Sequence, residues 1–190
     1  MNKTFILFLC FAMSSYVLPA QSKVSAGLSP VAMSLFRNIK TTLTVAEKND
    51  IAKMSNLLLS PDKSRFMLDG DADQNYSVTA YPVDLNKDGK EEIFIMENSG
   101  YFGGAGAQFS LYAKDSRGQY RIVIMELGMP RILKTMSAGF PDILVGGPGF
   151  EQPVWRYNGK MYTFSKKVKD GSVKSMDIEE ASKAYLASMK

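Results

Sequence analysis

A pattern of turn, apolar strand, glycine-rich loop and hairpin occurs twice in the second half of this chain. The segment GKEEIFI (89–95) aligns with GFPDILV (139–145), which follows 50 residues later. The glycine-rich loop is NSGYFGGAGAQ after the first segment and GGPGFEQP after the second, and each leads into a hairpin flanked by aromatic residues. This internal repeat predicts two β units with the same order of elements.

The first unit opens with a loop that is rich in side-chain oxygen, DLNKDGKEEIFI (84–95). Calcium takes about six to eight oxygen ligands, so a short loop that binds it needs ligands on alternate residues. Gly89 at position 6 permits a sharp turn, and Lys90 at position 7 offers its carbonyl. Positions 1, 3, 5 and 9 carry side-chain oxygen: Asp84, Asn86, Asp88 and Glu92. The spacing predicts a calcium loop that runs directly into a strand.

An EF-hand and a polar turn are the two other interpretations of this loop. An EF-hand requires a glutamate at position 12, where this chain has Ile95 inside an apolar run, so the loop is not an EF-hand. A polar β-turn without metal remains the alternative, because Asp, Asn and Gly favour turns for conformational reasons. The matches at fixed spacing favour calcium.

The loop, strand and glycine-rich turn together resemble the FG-GAP (integrin-α-like) β-propeller repeat and its VCBS-type relatives. That family carries D-x-[DN]-x-D-G-x-x-[DE] ahead of an apolar strand, and GFPDILVGGPGF (139–150) is similar to its strand and turn. The resemblance covers two diverged units within residues 80–165 and implies blade-like, four-stranded units. The calcium ligands that it implies are Asp84, Asn86, Asp88, the Lys90 carbonyl and Glu92.

The second unit departs from the family pattern. Lys134, Met136 and Ala138 replace the three loop oxygens, and only Asp142, which aligns with Glu92, keeps a carboxylate. We therefore expect one calcium ion rather than two. Two units cannot close a propeller, which needs at least about four blades, so helices are expected to cover the open sheet edges.

The order of elements predicts an α+β fold with N-terminal helices, antiparallel hairpin units resembling propeller blades, and a C-terminal helix. A first helix is predicted from Pro30 to about Lys40, and a capping box of Thr44 and Glu47 starts a second, which ends at Ser60-Pro61. In the C-terminal helix, Asp177 is predicted to provide the cap. The predicted strands are 76–83, 91–97, two within 107–127, 142–147, and a hairpin over 153–165.

The N-terminus predicts export. Residues 1–20 have a basic start, an apolar stretch and a small-residue exit, which is typical of a signal peptide with cleavage after 20 or as late as 26. A membrane anchor is the alternative, but the apolar stretch is short for a span. We expect a secreted or periplasmic protein without a membrane span after cleavage. It forms one domain over 27–190, helical at 27–62, β-rich at 65–165 and helical at 175–190.

Composition excludes several kinds of chemistry. The chain has no histidine and its one cysteine is Cys10, so the mature protein has no Ser-His-Asp or Cys-His nucleophile and no zinc site with such ligands. The net charge of +4 is too small to argue for nucleic acid. The segment DGDAD (69–73) has acidic residues at alternate positions, and we predict a turn there rather than a second metal loop. Three aromatic residues in the glycine loops are candidates for binding a glycan or a protein: Tyr101, Phe102 and Phe150.

Three functions remain open. The first is an exported, non-catalytic, calcium-binding protein whose loops bind a glycan or a protein. The second is an inhibitor or chaperone-like partner of another exported protein. The third is a carboxylate-dependent hydrolase, although the spacing selects no pair among its candidate acids. Those acids are Asp69, Asp71, Asp73, Glu97 and Glu151.

Overall fold

The computed structural model describes residues 27–68 and 75–189. The predicted signal peptide and the DGDAD turn lie outside these residues. The described part combines a few helices with antiparallel sheets and ends in a C-terminal helix, which confirms the α+β prediction. Its helices are α1 (Pro30–Leu35), α2 (Val45–Ser55) and α3 (Ile178–Ser188).

The strands form two antiparallel sheets and a short separate ribbon. The ribbon pairs β1 (Leu58–Leu59) with β2 (Phe66–Met67). The strands of the first sheet are β3 (Ser77–Val83), β4 (Glu92–Asn98), β5 (Ala107–Lys114) and β6 (Tyr120–Leu127). Those of the second are β7 (Met129–Ser137), β8 (Phe140–Gly146), β9 (Glu151–Tyr157), β10 (Tyr162–Lys169) and β11 (Ser175–Asp177). The first sheet has the order β3-β4-β5-β6 and the second the order β10-β9-β8-β7-β11. Each repeated unit thus forms a four-stranded meander, and β11 pairs with β7 at the edge of the second sheet.

The first sheet is buried on both faces. Along β4, Phe94 and Met96 join a core cluster shared with the second sheet, whereas Ile93 and Ile95 join a cluster with the N-terminal helices. Side chains alternate between the faces of a strand, so a strand covered on both sides needs a continuous apolar run. This requirement explains the sequence EIFIM at the centre of the fold.

A single apolar cluster joins the two sheets. Its rings contact one another, with Phe140 and Tyr157 at a centroid distance of 4.6 Å and Tyr157 and Tyr162 at 5.3 Å. Helix α3 adds Ile178 to this cluster and packs along β3, the outer strand of the first sheet. A helix therefore packs against one of the two outer strands of the first sheet.

Helices α1 and α2 begin where the sequence predicts but end earlier. Ser29 caps α1, since its hydroxyl accepts from the Ala32 amide, and the predicted capping box of Thr44 and Glu47 is present in α2. Helix α1 stops at Leu35, before the predicted Lys40. Helix α2 stops at Ser55 because Asn56 adopts a left-handed conformation (φ 54°), so the predicted end at Ser60-Pro61 is wrong.

Further features differ from the sequence predictions. Residues 58–59 of the segment predicted as helical at 27–62 form strand β1, and residues 175–177 of the helix predicted at 175–190 form strand β11. Asp177 occupies the N-cap position of α3 but makes no capping hydrogen bond. Its carboxylate lies instead 3.4 Å from the Arg131 guanidinium. Strand β7 was not predicted. It follows Gly128, where φ is 120° and a Cβ would lie 2.3 Å from the Gly146 carbonyl oxygen, so the chain passes between the sheets at a position that only glycine fits.

Candidate metal centre and binding edge

The predicted calcium loop joins β3 to β4 at one end of the first sheet. Its backbone turns sharply through two residues in the left-handed region, Lys87 (φ 60°) and Gly89 (φ 80°). Glycine adopts this conformation more readily than other residues. The turn places the polar side chains of residues 84–88 on one side of the loop. The local sequence thus sets a compact loop ahead of an apolar strand.

The side-chain oxygens of the loop point inward at backbone amides. Asp84 accepts from the Asp88 and Gly89 amides, each at 3.1 Å. Asn86 accepts from the Asp88 amide at 3.0 Å, and Asp88 accepts from the Lys90 amide at 2.8 Å. The alternate-residue spacing therefore gathers the three side chains on the inside of the turn.

Glu92 lies beneath this loop and is only 2% exposed. One carboxylate oxygen accepts from the Leu85 amide at 2.8 Å. Burial, the largest cause, together with the nearby charges of Asp88 and Asp84 raises the pKa of Glu92 to about 8, although the hydrogen bond from the Leu85 amide acts in the opposite direction. None of the ion pairs among the described residues includes Glu92. The charges of Asp84 and Asp88 thus act on the buried carboxyl group of Glu92, and no basic side chain forms an ion pair with it in the described ranges.

The donor set consists of hard oxygen atoms, which is the chemistry that calcium prefers. Asp84, Asn86 and Asp88 are brought together, and Glu92 is connected to the same loop through Leu85. Within residues 27–68 and 75–189, however, no three His, Cys, Asp or Glu side chains are placed to hold one ion. The proposed set also includes the Asn86 side-chain amide and the Lys90 carbonyl, and these oxygen ligands fit calcium. The carboxylates of the set would have to move closer together to bind the ion.

The equivalent acid of the second unit is satisfied differently. Asp142 is 1% exposed, and the Arg156 guanidinium donates to both of its oxygens, at 3.1 and 2.8 Å. The Thr135 hydroxyl adds a hydrogen bond of 2.7 Å. Although burial opposes ionisation, the hydrogen bonds from Arg156 and Thr135 hold the pKa of Asp142 below its usual value. The buried acid of the second unit is therefore paired with an arginine, whereas Glu92 has no such counter-ion among the described residues.

The residue before Glu92 is a second buried acid that the sequence analysis did not identify. Glu91 is 1% exposed and accepts hydrogen bonds from the Thr41 hydroxyl, from the Thr42 amide at 2.9 Å and from the Tyr185 hydroxyl at 3.2 Å. Its partners come from the N-terminal segment and from α3. Glu91 thus connects both helical regions to the strand that follows the candidate metal loop.

The two glycine loops meet at the opposite end of the sheets. A Cβ on Gly104 would lie 3.5 Å from the Pro148 ring, so the loops are in contact. Tyr101 is 74% exposed and Phe150 is 90% exposed, whereas Phe102 packs against the N-terminal core cluster. Of the three aromatic residues predicted to bind a ligand, Tyr101 and Phe150 therefore lie at the surface, and Phe102 contributes to packing.

Hydrogen bonds fix the conformation of both glycine loops. The Ser99 hydroxyl accepts from the Tyr101 amide at 3.0 Å. The buried side chain of Gln152 accepts from the Gly147 amide and donates to the carbonyls of Gly147 and Gly149, at 3.0, 3.0 and 3.3 Å. Gln152 was not identified from sequence, because its partners are backbone groups. The exposed rings therefore project from braced loops.

Among the described residues, the acids considered for hydrolysis do not form a catalytic pair of carboxyl groups. Glu97 accepts from the Tyr76 hydroxyl at 2.6 Å and from the side-chain amide of Gln108 at 3.4 Å, while Glu151 is exposed at the start of β9. The acids of residues 69–73 lie outside the described residues. A carboxylate-dependent hydrolase thus gains no support from these contacts.

Comparison of the chain with protein-family models gave no match, and comparisons with curated proteins and with solved structures gave none either. No helix in the described ranges is both long and apolar enough to cross a bilayer.

Proposed function

We propose that this chain is an exported, calcium-stabilised binding module without catalytic activity. The observation that carries the proposal is the contrast between the two equivalent buried acids. Asp142 has the Arg156 guanidinium as its counter-ion, whereas Glu92 faces Asp84 and Asp88. Burying a carboxylate without a counter-charge is unfavourable, and a divalent cation in the loop would supply that charge.

The proposed calcium ligands are the side chains of Asp84, Asn86 and Asp88, the carbonyl of Lys90, and Glu92. The inward direction of the first three supports this set, because the same oxygens that now accept from backbone amides are grouped on one side of the loop. The resemblance to FG-GAP repeats supports it as well, as does the meander that each unit forms. A single structural ion bound with the weak affinity of extracellular modules, about 10⁻⁴ to 10⁻³ M, would suit this role.

The proposed binding edge is the end of the sheets at which the two glycine loops meet. Tyr101 and Phe150 are large apolar rings that the fold leaves exposed on braced loops. Exposed aromatic rings stack on sugar rings and anchor protein interfaces. The occupant is a glycan or another exported protein, and the second choice would make the chain an inhibitor or a chaperone-like partner.

Calcium titration by isothermal calorimetry tests the metal, with Asp84→Asn as the loop variant. Asp115→Asn is the matched control, because Asp115 also accepts backbone amides in a polar turn but has Arg117 and Arg121 as partners. Loss of the calcium heat in the first variant alone supports the proposal. Binding that both variants retain, or that the wild-type chain lacks, contradicts it.

A glycan array and a capture experiment from the cell envelope test the binding edge, each with Tyr101→Ala and Phe150→Ala. Binding that these substitutions abolish identifies the glycine loops as the site, and the assay in which it is seen distinguishes a glycan from a protein. Binding unaffected by either substitution would move the site elsewhere.

A further inference from the structure

A cleft of about 770 Å³ lies between the two sheets, at the end opposite the glycine loops. One wall comes from β6 and from the turn that joins β5 to β6. The other wall comes from the turns at 138–139 and 158–161 of the second sheet. This volume is within the range of small-molecule sites, about 300 to 1,000 Å³. No part of the proposed calcium loop or of the glycine-loop edge contributes to it.

The floor of the cleft is apolar. Val123 lines it from β6, and Phe140 and Tyr157 line it from the second sheet. All three belong to the apolar cluster that joins the two sheets. Met161 lies at the mouth with 48% of its surface exposed. A ligand that enters this cleft therefore meets aliphatic and aromatic groups, which stabilise an apolar body by removing it from water.

The rim of the cleft is basic. Four cations line it with one carboxylate: Lys114, Arg117, Arg121 and Lys160, with Asp115. Asp115 is shared by Arg117 at 3.5 Å and Arg121 at 3.3 Å, so one negative charge faces two guanidinium groups. Lys114 pairs with Glu47 at 2.6 Å. Lys160 stands on the opposite turn, and no ion pair within the described ranges includes it.

We propose that this cleft binds an amphiphilic organic anion: a carboxylate head on an apolar body. The head would lie between Arg121 and Lys160, since a guanidinium presents paired donors that match a carboxylate. The body would lie on the floor formed by Val123 and Phe140. The excess of positive charge excludes a cationic amphiphile, and the apolar floor distinguishes the site from a general surface for small anions.

The arrangement of charge also predicts how binding responds to salt. The rim groups are partly open to solvent, with the side chains of Arg117 and Arg121 at 73% and 47% exposure. Interactions of exposed charges are screened as ionic strength rises. Affinity for the anion should therefore fall with added sodium chloride, while the contribution of the apolar body remains.

Isothermal calorimetry with sodium dodecanoate tests the proposal on the mature chain. Dodecyl maltoside and dodecyltrimethylammonium, each below its micelle concentration, provide the neutral and cationic controls with the same alkyl length. The test variant is R121Q/K160Q. The matched control is K167Q/K169Q, which removes two positive charges from exposed positions on β10, outside the cleft.

The expected result is one dodecanoate bound per chain, at least about tenfold weaker binding in R121Q/K160Q, and wild-type affinity in K167Q/K169Q, because charge-assisted hydrogen bonds are the strong ones. If R121Q/K160Q fails to fold by circular dichroism, R117Q/K160Q replaces it, because Arg117 is the more exposed arginine. Absence of dodecanoate binding overturns the proposal. So does equal binding of dodecyl maltoside, or equal weakening in both double variants.

Discussion

The guanidinium of Arg156 donates to both carboxylate oxygens of Asp142, at 3.1 and 2.8 Å, across neighbouring strands of the second sheet. The Arg156 side chain is 46% exposed, whereas the Asp142 side chain is 1% exposed. The pair therefore brings a charge from the surface to a buried acid. It occupies the place in the second unit that corresponds to Glu92 in the first.

Replacing Arg156 by methionine should destabilise the fold, because it leaves Asp142 buried without its counter-charge. We expect the melting temperature to fall by roughly 5 °C, as breaking one side of a buried ion pair is costly and a domain of this size shifts by a few degrees per kcal/mol. Differential scanning calorimetry measures the change. The double variant R156M/D142L should recover most of the loss, since it removes both charges. A double variant less stable than R156M would show that the charge of Asp142 is not the cause.

Glu92 should make stability depend on pH when calcium is absent. Its pKa is raised from 4.5 to about 8 in the folded protein, so the folded state binds more protons than the unfolded chain between these values. Stability should then fall as pH rises from about 4.5 to 8, by at most about 1.4 kcal/mol per pH unit from this one group. Urea unfolding in chelator across this range measures the slope.

Glu92→Gln should flatten that profile more than the comparison variant Glu126→Gln does, since burial also raises the pKa of Glu126 but that side chain is partly exposed. Because the pKa of Asp142 is lowered, Asp142 loses its stabilising effect only as pH falls below the usual pKa of an aspartate. That pH range lies outside the window between 4.5 and 8. A wild-type profile that rises or stays level between pH 5 and 8 would contradict the assigned state of Glu92.

The aromatic residues of the first glycine loop should separate by role. Phe102→Ala should lower the free energy of unfolding by about 2 kcal/mol, since Phe102 packs against the N-terminal cluster and a truncated ring leaves a cavity. Tyr101→Ala should change it by no more than about 0.5 kcal/mol, because the ring is largely exposed. Chemical denaturation measures both. An equal loss in the two variants would mean that Tyr101 supports the fold and is not free to bind.

Gly128 should tolerate no side chain. In Gly128→Ala, the new Cβ would meet the Gly146 carbonyl at 2.3 Å, and alanine would also adopt a φ of 120°. We expect loss of folded protein or a melting temperature lower by about 10 °C or more. Gly118→Ala is the matched control, because φ is also positive there but no atom lies within 4 Å of the added carbon. It should cost about 1 kcal/mol. Similar melts for the two variants would rule out the close approach at Gly128.

Much of the fold could be predicted because its signals are local. The capping box at Thr44, the turn at Asn158-Gly159 and the apolar run of β4 each depend on a few adjacent residues, and the structure has all three. Strand β7 was missed, since Pro130 and its lysine and arginine residues weaken the strand pattern. Its stability comes from pairing with β8, which a local pattern does not contain.

The candidate site shows the same division. The grouping of the Asp84, Asn86 and Asp88 side chains on one side of the loop follows from their alternate spacing, which is visible in the sequence. The partner of Asp142 was not predicted, because Arg156 lies 14 residues away and meets it only across two strands. The bracing by Gln152 was missed for a related reason, since backbone acceptors leave no mark in sequence.

The most direct test of the central claim is a thermal melt of residues 21–190 in millimolar calcium and in excess chelator, with Asp88→Ala and the control Asp115→Ala. A ligand that binds only the folded state raises the melting temperature. We expect a clear upward shift with calcium in the wild type and in Asp115→Ala, and none in Asp88→Ala. Identical melts of the wild type with calcium and with chelator would mean that residues 84–92 form only a polar turn ahead of a strand.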